Sequence, residues 1–314
     1  MPNSYTGLFQ TLAAAFNDAA LAKVGRNALM NYVTRDLEPS VAAPFSVVNT
    51  NIAASTGTAT HIASGSTLTL SDVTLNPGAV TLDKHPGYGF AMPSFDAARG
   101  PSESQVIKLR DEAVKKIGNY INGVVAALVA PANFTDYFSG TAIASGADTV
   151  SDAAIKTAWG ALAANDIDMG DVGNVFLVTH PTIYAELLDS QKWTQAAYIS
   201  DQLAARVRAT AMLGTQWGAI CDWDPDIPTT TGGSPTDTKY YSIMFHRNAI
   251  ALVSRALAPP ANPNIPTTYV SYNGVPIRVT IDFNNKTLSD EIVFDCLFGA
   301  AVVRSDHGIL LLSA

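Results

Sequence analysis

Charge is scarce in this sequence of 314 residues: Asp, Glu, Lys and Arg together make up 15%, against about 25% in an average soluble domain. A free monomer normally carries charge on its surface to stay dissolved. A chain this long with so little charge is expected to hide part of its surface against partners. A neutral soluble monomer could have the same composition, so both readings stay open at this level. The net charge of −8 leaves little room for a basic stripe, and no cluster of Lys and Arg with interleaved aromatics occurs. Nucleic-acid recognition is therefore not the expected main task.

Cysteine is scarce as well. Cys221 and Cys296 stand far apart and match neither a zinc nor a redox spacing. They read as small buried hydrophobes in a reducing compartment. Residues 1–10 lack the basic start and apolar run of a secretory signal. The most apolar stretch, residues 117–130, is interrupted by Asn119, Asn122 and Gly123 and is too short for a membrane span. The expectation is a protein made, at least initially, in a cytoplasm, with no membrane partner.

Catalytic signatures are missing too. The sequence has no phosphate loop, no dinucleotide-type glycine fingerprint after a strand, no H-E-x-x-H and no G-x-S-x-G. His61, His85, His180, His246 and His307 are scattered, none at metal-ligand spacing from another, and read as turn or packing residues. Asp222, Asp224 and Asp226 superficially resemble a calcium loop, but the loop glycine and bidentate Glu are absent and Pro225 and Pro228 intrude. Asp166, Asp168 and Asp171 read as capping and turn residues. No residue is assigned a catalytic, cofactor-binding or metal-binding role, and the chain is not expected to be an enzyme.

What the sequence does contain is patterned. Leu8, Leu12, Phe16, Leu21, Val24, Ala28 and Leu29 approximate helical spacing over residues 8–33. Residues 41–82 carry one formally charged residue, Asp72, and are rich in Ser, Thr, Ala and Gly. They could form a flexible linker. Apolar bursts at Val47-Val48, Ile52, Leu68-Leu70, Val73-Leu75 and Val80-Leu82, with a turn at Asn76-Pro77-Gly78, predict a long two-stranded ribbon with a polar tip instead. An isolated ribbon is marginal in water and needs a surface to lie on.

Residues 102–130 give the clearest element. Ser102 and Gln105 form a capping box, and Val106, Leu109, Ala113, Ile117, Ile121, Val124 and Leu128 follow at steps of three and four, before Pro131. Arg110, Lys115 and Lys116 are expected on its wetter side. Residues 150–255 read as mixed α/β. They offer a helix through Ile155, Trp159 and Leu162, a buried strand at residues 175–178 and a Pro-started helix at Pro181. A further helix over residues 201–213 is expected to end at Gly214, with a strand at residues 240–245 after a loop over 225–238. The C-terminal region reads as β, with Asn273-Gly274 as the strongest hairpin signal and Val275, Ile277, Val279 and Ile281 alternating on the return strand. Strands are also expected over 292–303 and 309–312.

This order of elements resembles the major capsid protein of tailed bacteriophages, the Hong Kong 97-type fold. Val80-Thr81-Leu82-Asp83-Lys84-His85, followed by Phe90 and Phe95-Asp96, is similar to the descending arm of that family's extended loop. The helix from Glu103 through Ile121-Asn122 to Leu128 is similar to its spine helix. Val178-Thr179-His180-Pro181 through Leu187-Leu188, His246-Arg247-Asn248-Ala249 and Asp295-Cys296-Leu297-Phe298-Gly299 resemble later segments. The match runs over nearly the whole chain, although no single motif is strict.

The resemblance implies an α+β phage capsid fold with an N-terminal helical arm (1–45) and an extended β-ribbon loop (46–95). A spine helix with the first part of a peripheral domain (96–149), a mixed α/β axial domain (150–262) and the β-return of the peripheral domain (263–314) would complete it. It further implies pentamers and hexamers of the chain closing an icosahedral shell around double-stranded phage DNA, held without sequence-specific contacts. The virion is the expected location, after assembly in the host cytoplasm. Portal and scaffolding proteins are expected partners, with a decoration protein as an optional one. Leu68, Leu70, Val73, Leu75, Val80, Leu82, Phe9 and Phe16 are the candidate inter-subunit contacts. Some members of the family crosslink a loop lysine to an asparagine. Here Lys84 is the only lysine between residues 24 and 107 and falls at the base of the ribbon, so no crosslink is expected.

Three alternatives compete with this reading. A bacterial nanocompartment shell protein of the same fold would enclose a protein cargo. An enzyme in residues 150–255 would gather Asp166, Asp168 and His180 around one cleft. A tail or adhesin component would show fibre-like repeats, and none is found.

Overall fold

The computed structural model describes residues 27–35, 47–55, 73–93, 103–136, 150, 152–190, 194–195, 201–232 and 237–313. Phe9, Phe16, Leu68, Leu70, His61, the Ser102 cap and most of the predicted N-terminal helix lie outside them. The chain is α+β, and its long helix, α2 (Glu103–Ala126), follows a short helix, α1 (Leu29–Tyr32). Helix α2 is roughly 36 Å long at 1.5 Å per residue. Its stripe of Ala113, Ile117, Ile121 and Val125 is buried because these positions recur on one helical face. The expected periodicity needs two corrections. Leu109 is 39% exposed, and Arg110, expected on the wet side, is buried with its guanidinium on Asp111 at 2.7 and 2.9 Å. An arginine stem packs readily on apolar surface when its head finds a carboxylate.

Strands β1 (Val47–Ser55) and β2 (Val73–Thr81) form the ribbon, antiparallel from Val47↔Thr81 to Ser55↔Val73. Asn76-Pro77-Gly78 is not its turn. These residues lie inside β2, opposite Ile52, Asn51 and Thr50. A two-stranded ribbon has only edge strands, and an edge tolerates a proline that donates no hydrogen bond. The connection from β1 to β2 falls at residues 56–72, outside the described set.

Strand β3 (Gly87–Pro93) leaves the ribbon and closes a four-stranded antiparallel sheet in the order β11-β12-β13-β3, with β11 (Thr267–Tyr272), β12 (Val275–Asn284) and β13 (Ser289–Asp295). Val275, Ile277, Val279 and Ile281 of β12 are all buried, as period-two alternation requires. The β11–β12 turn has Asn273 at φ 46° and Gly274 at φ 82°, the two left-handed positions of a type I′ hairpin.

The largest sheet runs β4-β15-β9-β5-β7-β6, with β8 added on β9. Its strands are β4 (Thr135–Asp136), β5 (Val175–Thr179), β6 (Gly214–Gln216), β7 (Ala219–Trp223), β8 (Thr229–Gly232), β9 (Asp237–His246) and β15 (Gly308–Ser313). Helices α3 (Asp152–Ala164), α4 (Pro181–Asp189) and α5 (Asp201–Thr210) accompany it. Helix α5 stops short of Gly214: Ala211 takes the left-handed turn at φ 53°, and Gly214 at φ 69° opens β6. The expected loop over 225–238 contains β8, because its threonines suit an edge strand. A two-stranded sheet of β10 (Ile250–Arg255) and β14 (Leu297–Val302) stands between the large sheet and the ribbon.

Candidate assembly interface

The base of the ribbon is built into the chain's own core. Val48, Val80 and Leu82 pack with Ala251, Val253 and Leu297 of the β10–β14 sheet, and Val80 and Leu82 are 0% exposed. A side chain fully buried within its own chain has no surface left for a neighbour. Val80 and Leu82 are therefore corrected from contact residues to anchors. Beyond them, Lys84 and Phe298 exchange backbone hydrogen bonds of 3.1 and 3.0 Å. Gly299 lets the Thr81 carbonyl pass so closely that any Cβ would collide with it. Val73 and Leu75 lie on β2, further up the ribbon.

A second junction ties the segment 27–35 to several distant parts of the chain. Leu29 N–H donates to Asp224 Oδ2 at 2.9 Å, and Met30 N–H donates to Asn122 Oδ1 at 3.2 Å. Asn122 Nδ2 donates in turn to both oxygens of Asp224, at 2.9 and 3.0 Å, and to Asp226 at 2.7 Å. Tyr32 donates to Asp222 and stacks on Phe176, ring centroids 4.3 Å apart. Asn27 Nδ2 donates to Tyr272 Oη at 3.0 Å, and Arg35 reaches the Asn273 carbonyl. Thr34 adds a parallel bridge on Ala251. Gly118 of α2 makes room, since a Cβ there would stand 2.9 Å from Asn27 Nδ2 and 2.5 Å from the Tyr272 ring.

The acidic triplet at 222–226 thus works as a junction. Burial pushes the Asp224 carboxyl above its ordinary range, opposed by hydrogen bonds from the Leu29 and Asp226 N–H groups and from Asn122. Sequence reading picked out the aspartates but missed the strap, because its partners stand 92 to 245 residues apart. Among the described residues, no group of three or more His, Cys, Asp or Glu side chains could hold a metal ion. No described helix is long and apolar enough to cross a membrane.

The other singled-out residues have local tasks. His180 Nδ1 accepts from Thr182 N–H at the start of α4, and its ring stacks on Tyr240. His85 meets Asp295 at 2.9 Å, a carboxylate that also binds Arg278. Asp168 accepts from Gly170 N–H, and Asp171 accepts from Asn174 Nδ2. Both thiols are buried.

One exposed patch gave no signal in the sequence, since its members come from separate elements. Trp159 of α3, Val172 and Trp217 line an apolar cavity of about 550 Å³ with Met169 and Lys156. Trp159 Nε1 donates to the Trp217 carbonyl at 3.1 Å, and Lys156 Nζ lies 5.2 Å from the Trp217 ring centroid.

No protein-family model matches the chain, and no curated protein matches its sequence. Solved structures do match. The chain is similar to a structure from Mycobacterium phage Che8 at TM-score 0.63 and 21% identity, over 90% of each chain. The Cyanophage A-1(L) capsid matches at 0.61 and 12%, over 93% of this chain and 94% of that one. The capsid of Ralstonia phage GP4 matches at 0.60 and 12%, over 93% and 89%. At these identities the likeness establishes fold, and the fold resembles that of phage capsid proteins over about nine tenths of the chain.

Proposed function

We propose that this chain is a structural shell subunit, forming pentamers and hexamers that close an icosahedral capsid around phage DNA. The observation that carries the reading is the likeness to phage capsid structures over about nine tenths of the chain and of each neighbour. Two properties of the molecule support it. The sequence is poor in charge, and the ribbon is a two-stranded sheet of a kind that is marginal on its own in water. Laid over a neighbouring subunit, the ribbon would gain the surface it needs. Leu68, Leu70, Val73, Leu75, Phe9 and Phe16 remain the proposed contacts. A peripheral part around α2 and the four-stranded sheet and an axial part around the large sheet are proposed as the two bodies of the subunit. Virion localisation and portal, scaffolding and decoration partners follow from the same reading, and no enzymatic step is proposed.

The Lys84 ammonium sits 2.8 Å from Asp83, which raises its pKa by hydrogen bond and charge. Lys84 falls at the base of the ribbon and not at its tip, and the shell is proposed to be free of crosslinks through it. The test is to purify assembled particles of this chain from the cells in which it is naturally made and image them. Closed icosahedral particles containing DNA, which run as a single monomer band after boiling in detergent, are expected. DNA-free shells around a protein cargo would replace the phage assignment, and a ladder above the monomer band would overturn the absence of crosslinks.

A further inference from the structure

Two chain crossovers join the large sheet to the β10–β14 sheet that anchors the ribbon, and they run side by side. One is the single 3-10 turn Arg247–Ala249 between β9 and β10; the other is the turn Ser305–His307 between β14 and β15. Val303 N–H and Arg304 N–H both donate to the Ala249 carbonyl, at 2.9 and 3.2 Å, so the crossovers are bonded to each other. A histidine stands on each. His246 and His307 meet edge to face with ring centroids 5.8 Å apart.

The hydrogen bonds fix how these rings carry their protons. A guanidinium can only donate, so the 3.2 Å contact of Arg304 Nη1 with His307 Nε2 requires that nitrogen to be bare. The His307 proton then lies on Nδ1, which is buried without a partner. His246 Nδ1 accepts from Asn248 N–H at 3.2 Å and caps its own turn. The charges facing the pair are Arg304, Asp306 at 3.9 Å from His307 and Asp171 at 3.8 Å from His246, with Arg247 next in the chain. Both carboxylates are largely exposed, at 62% and 45%, while the two imidazole side chains are only 13% and 16% exposed.

We propose that the His307–Arg304–His246 cluster is an acid-sensitive lock on this double crossover, closed while His307 is neutral and released when it is protonated. A proton on Nε2 removes the acceptor for Arg304 and sets a second cation against the guanidinium in a largely buried place. Asp306, exposed and 3.9 Å away, opposes this from the solvent side, so the main cost of the proton is the burial of the charge and the loss of the acceptor. Opening would free the ribbon-bearing sheet to shift relative to the large sheet.

The direction of the His307 pKa agrees: burial lowers it most, Asp306 opposes that, and Arg304 and then His246 lower it further by smaller amounts. A histidine whose folded pKa is depressed contributes stability that is present above its unfolded value, near 6.5. That contribution is lost as pH falls through the lower, folded value. The lock should therefore hold at neutral pH and open as the pH falls below the ordinary histidine range.

The test compares the full-length chain with His307→Gln, whose amide oxygen can accept from Arg304 without titrating. Amide hydrogen exchange, corrected for the intrinsic effect of pH, is followed at residues 246–250 and 303–308 between pH 7.5 and 5. The native chain should lose protection there by roughly tenfold or more, and His307→Gln should keep it. A second variant, Arg304→Gln, removes a cation that lowers the His307 pKa, so the loss of protection should be smaller and its midpoint should move to higher pH. Unchanged protection in the native chain, equal loss in His307→Gln, or an unmoved midpoint in Arg304→Gln would each overturn the proposal.

Discussion

Asn122 and Asp224, 102 residues apart, face each other with the amide nitrogen of one 2.9 and 3.0 Å from the two carboxylate oxygens of the other, and both side chains are fully buried. The pair joins the long helix to the loop after β7, and the segment 27–35 is fastened across both. Asn122→Ala removes the donor to Asp224 and the acceptor for Met30 N–H together. It should destabilise the subunit by about 2–4 kcal/mol in denaturant unfolding. The amides of Leu29 and Met30 should lose exchange protection first.

Two glycines of the long helix should respond to alanine with opposite signs. A methyl at Gly123 meets nothing within 4 Å, so Gly123→Ala should gain the usual helix benefit of about 0.5–1 kcal/mol. A methyl at Gly118 would press on Tyr272 and Asn27, so Gly118→Ala should lose stability despite the same intrinsic preference. Thermal unfolding of the two variants side by side checks the contrast.

Anchors and contacts of the ribbon should separate experimentally. Leu82→Ala empties a buried place at the ribbon base and should cost about 2–5 kcal/mol in the unassembled subunit. Leu68→Asp should leave subunit stability nearly unchanged and block assembly, if Leu68 is a contact as proposed. Denaturant unfolding of subunits and sedimentation of assembly mixtures distinguish the two outcomes.

Burial pushes both thiols, Cys221 and Cys296, up to about 12. Since the thiolate is the reactive form, neither should label with a thiol reagent at pH 8 in the native protein. Both should label promptly in denaturant. Rapid native labelling would show that one of the cores around them opens.

Local signals were the legible part of the sequence. The spacing of Ile117, Ile121 and their neighbours placed the long helix, Asn273-Gly274 placed a hairpin, and the alternation of Val275 through Ile281 placed a strand and its inward face. Turn chemistry misled where tertiary pairing decided the outcome. Asn76-Pro77-Gly78 reads as a turn, yet pairs along its length with β1. Arg110 reads as exposed, yet its stem is buried, with its guanidinium on the adjacent Asp111. The junction of Asn27, Asn122, Asp224 and Tyr272 could not be seen at all, because nothing local distinguishes a polar residue that will be buried against a partner a hundred or more positions away. Val80 and Leu82 read as inter-subunit contacts because they are apolar and lie on the ribbon; the packing shows that they hold the ribbon to its own subunit.

Electron microscopy of the purified protein under assembly conditions tests the shell assignment most directly. Uniform closed particles with icosahedral symmetry, built of pentamers and hexamers, are the predicted result. A persistent monomer of the chain's own mass, under every assembly condition tried, would contradict it.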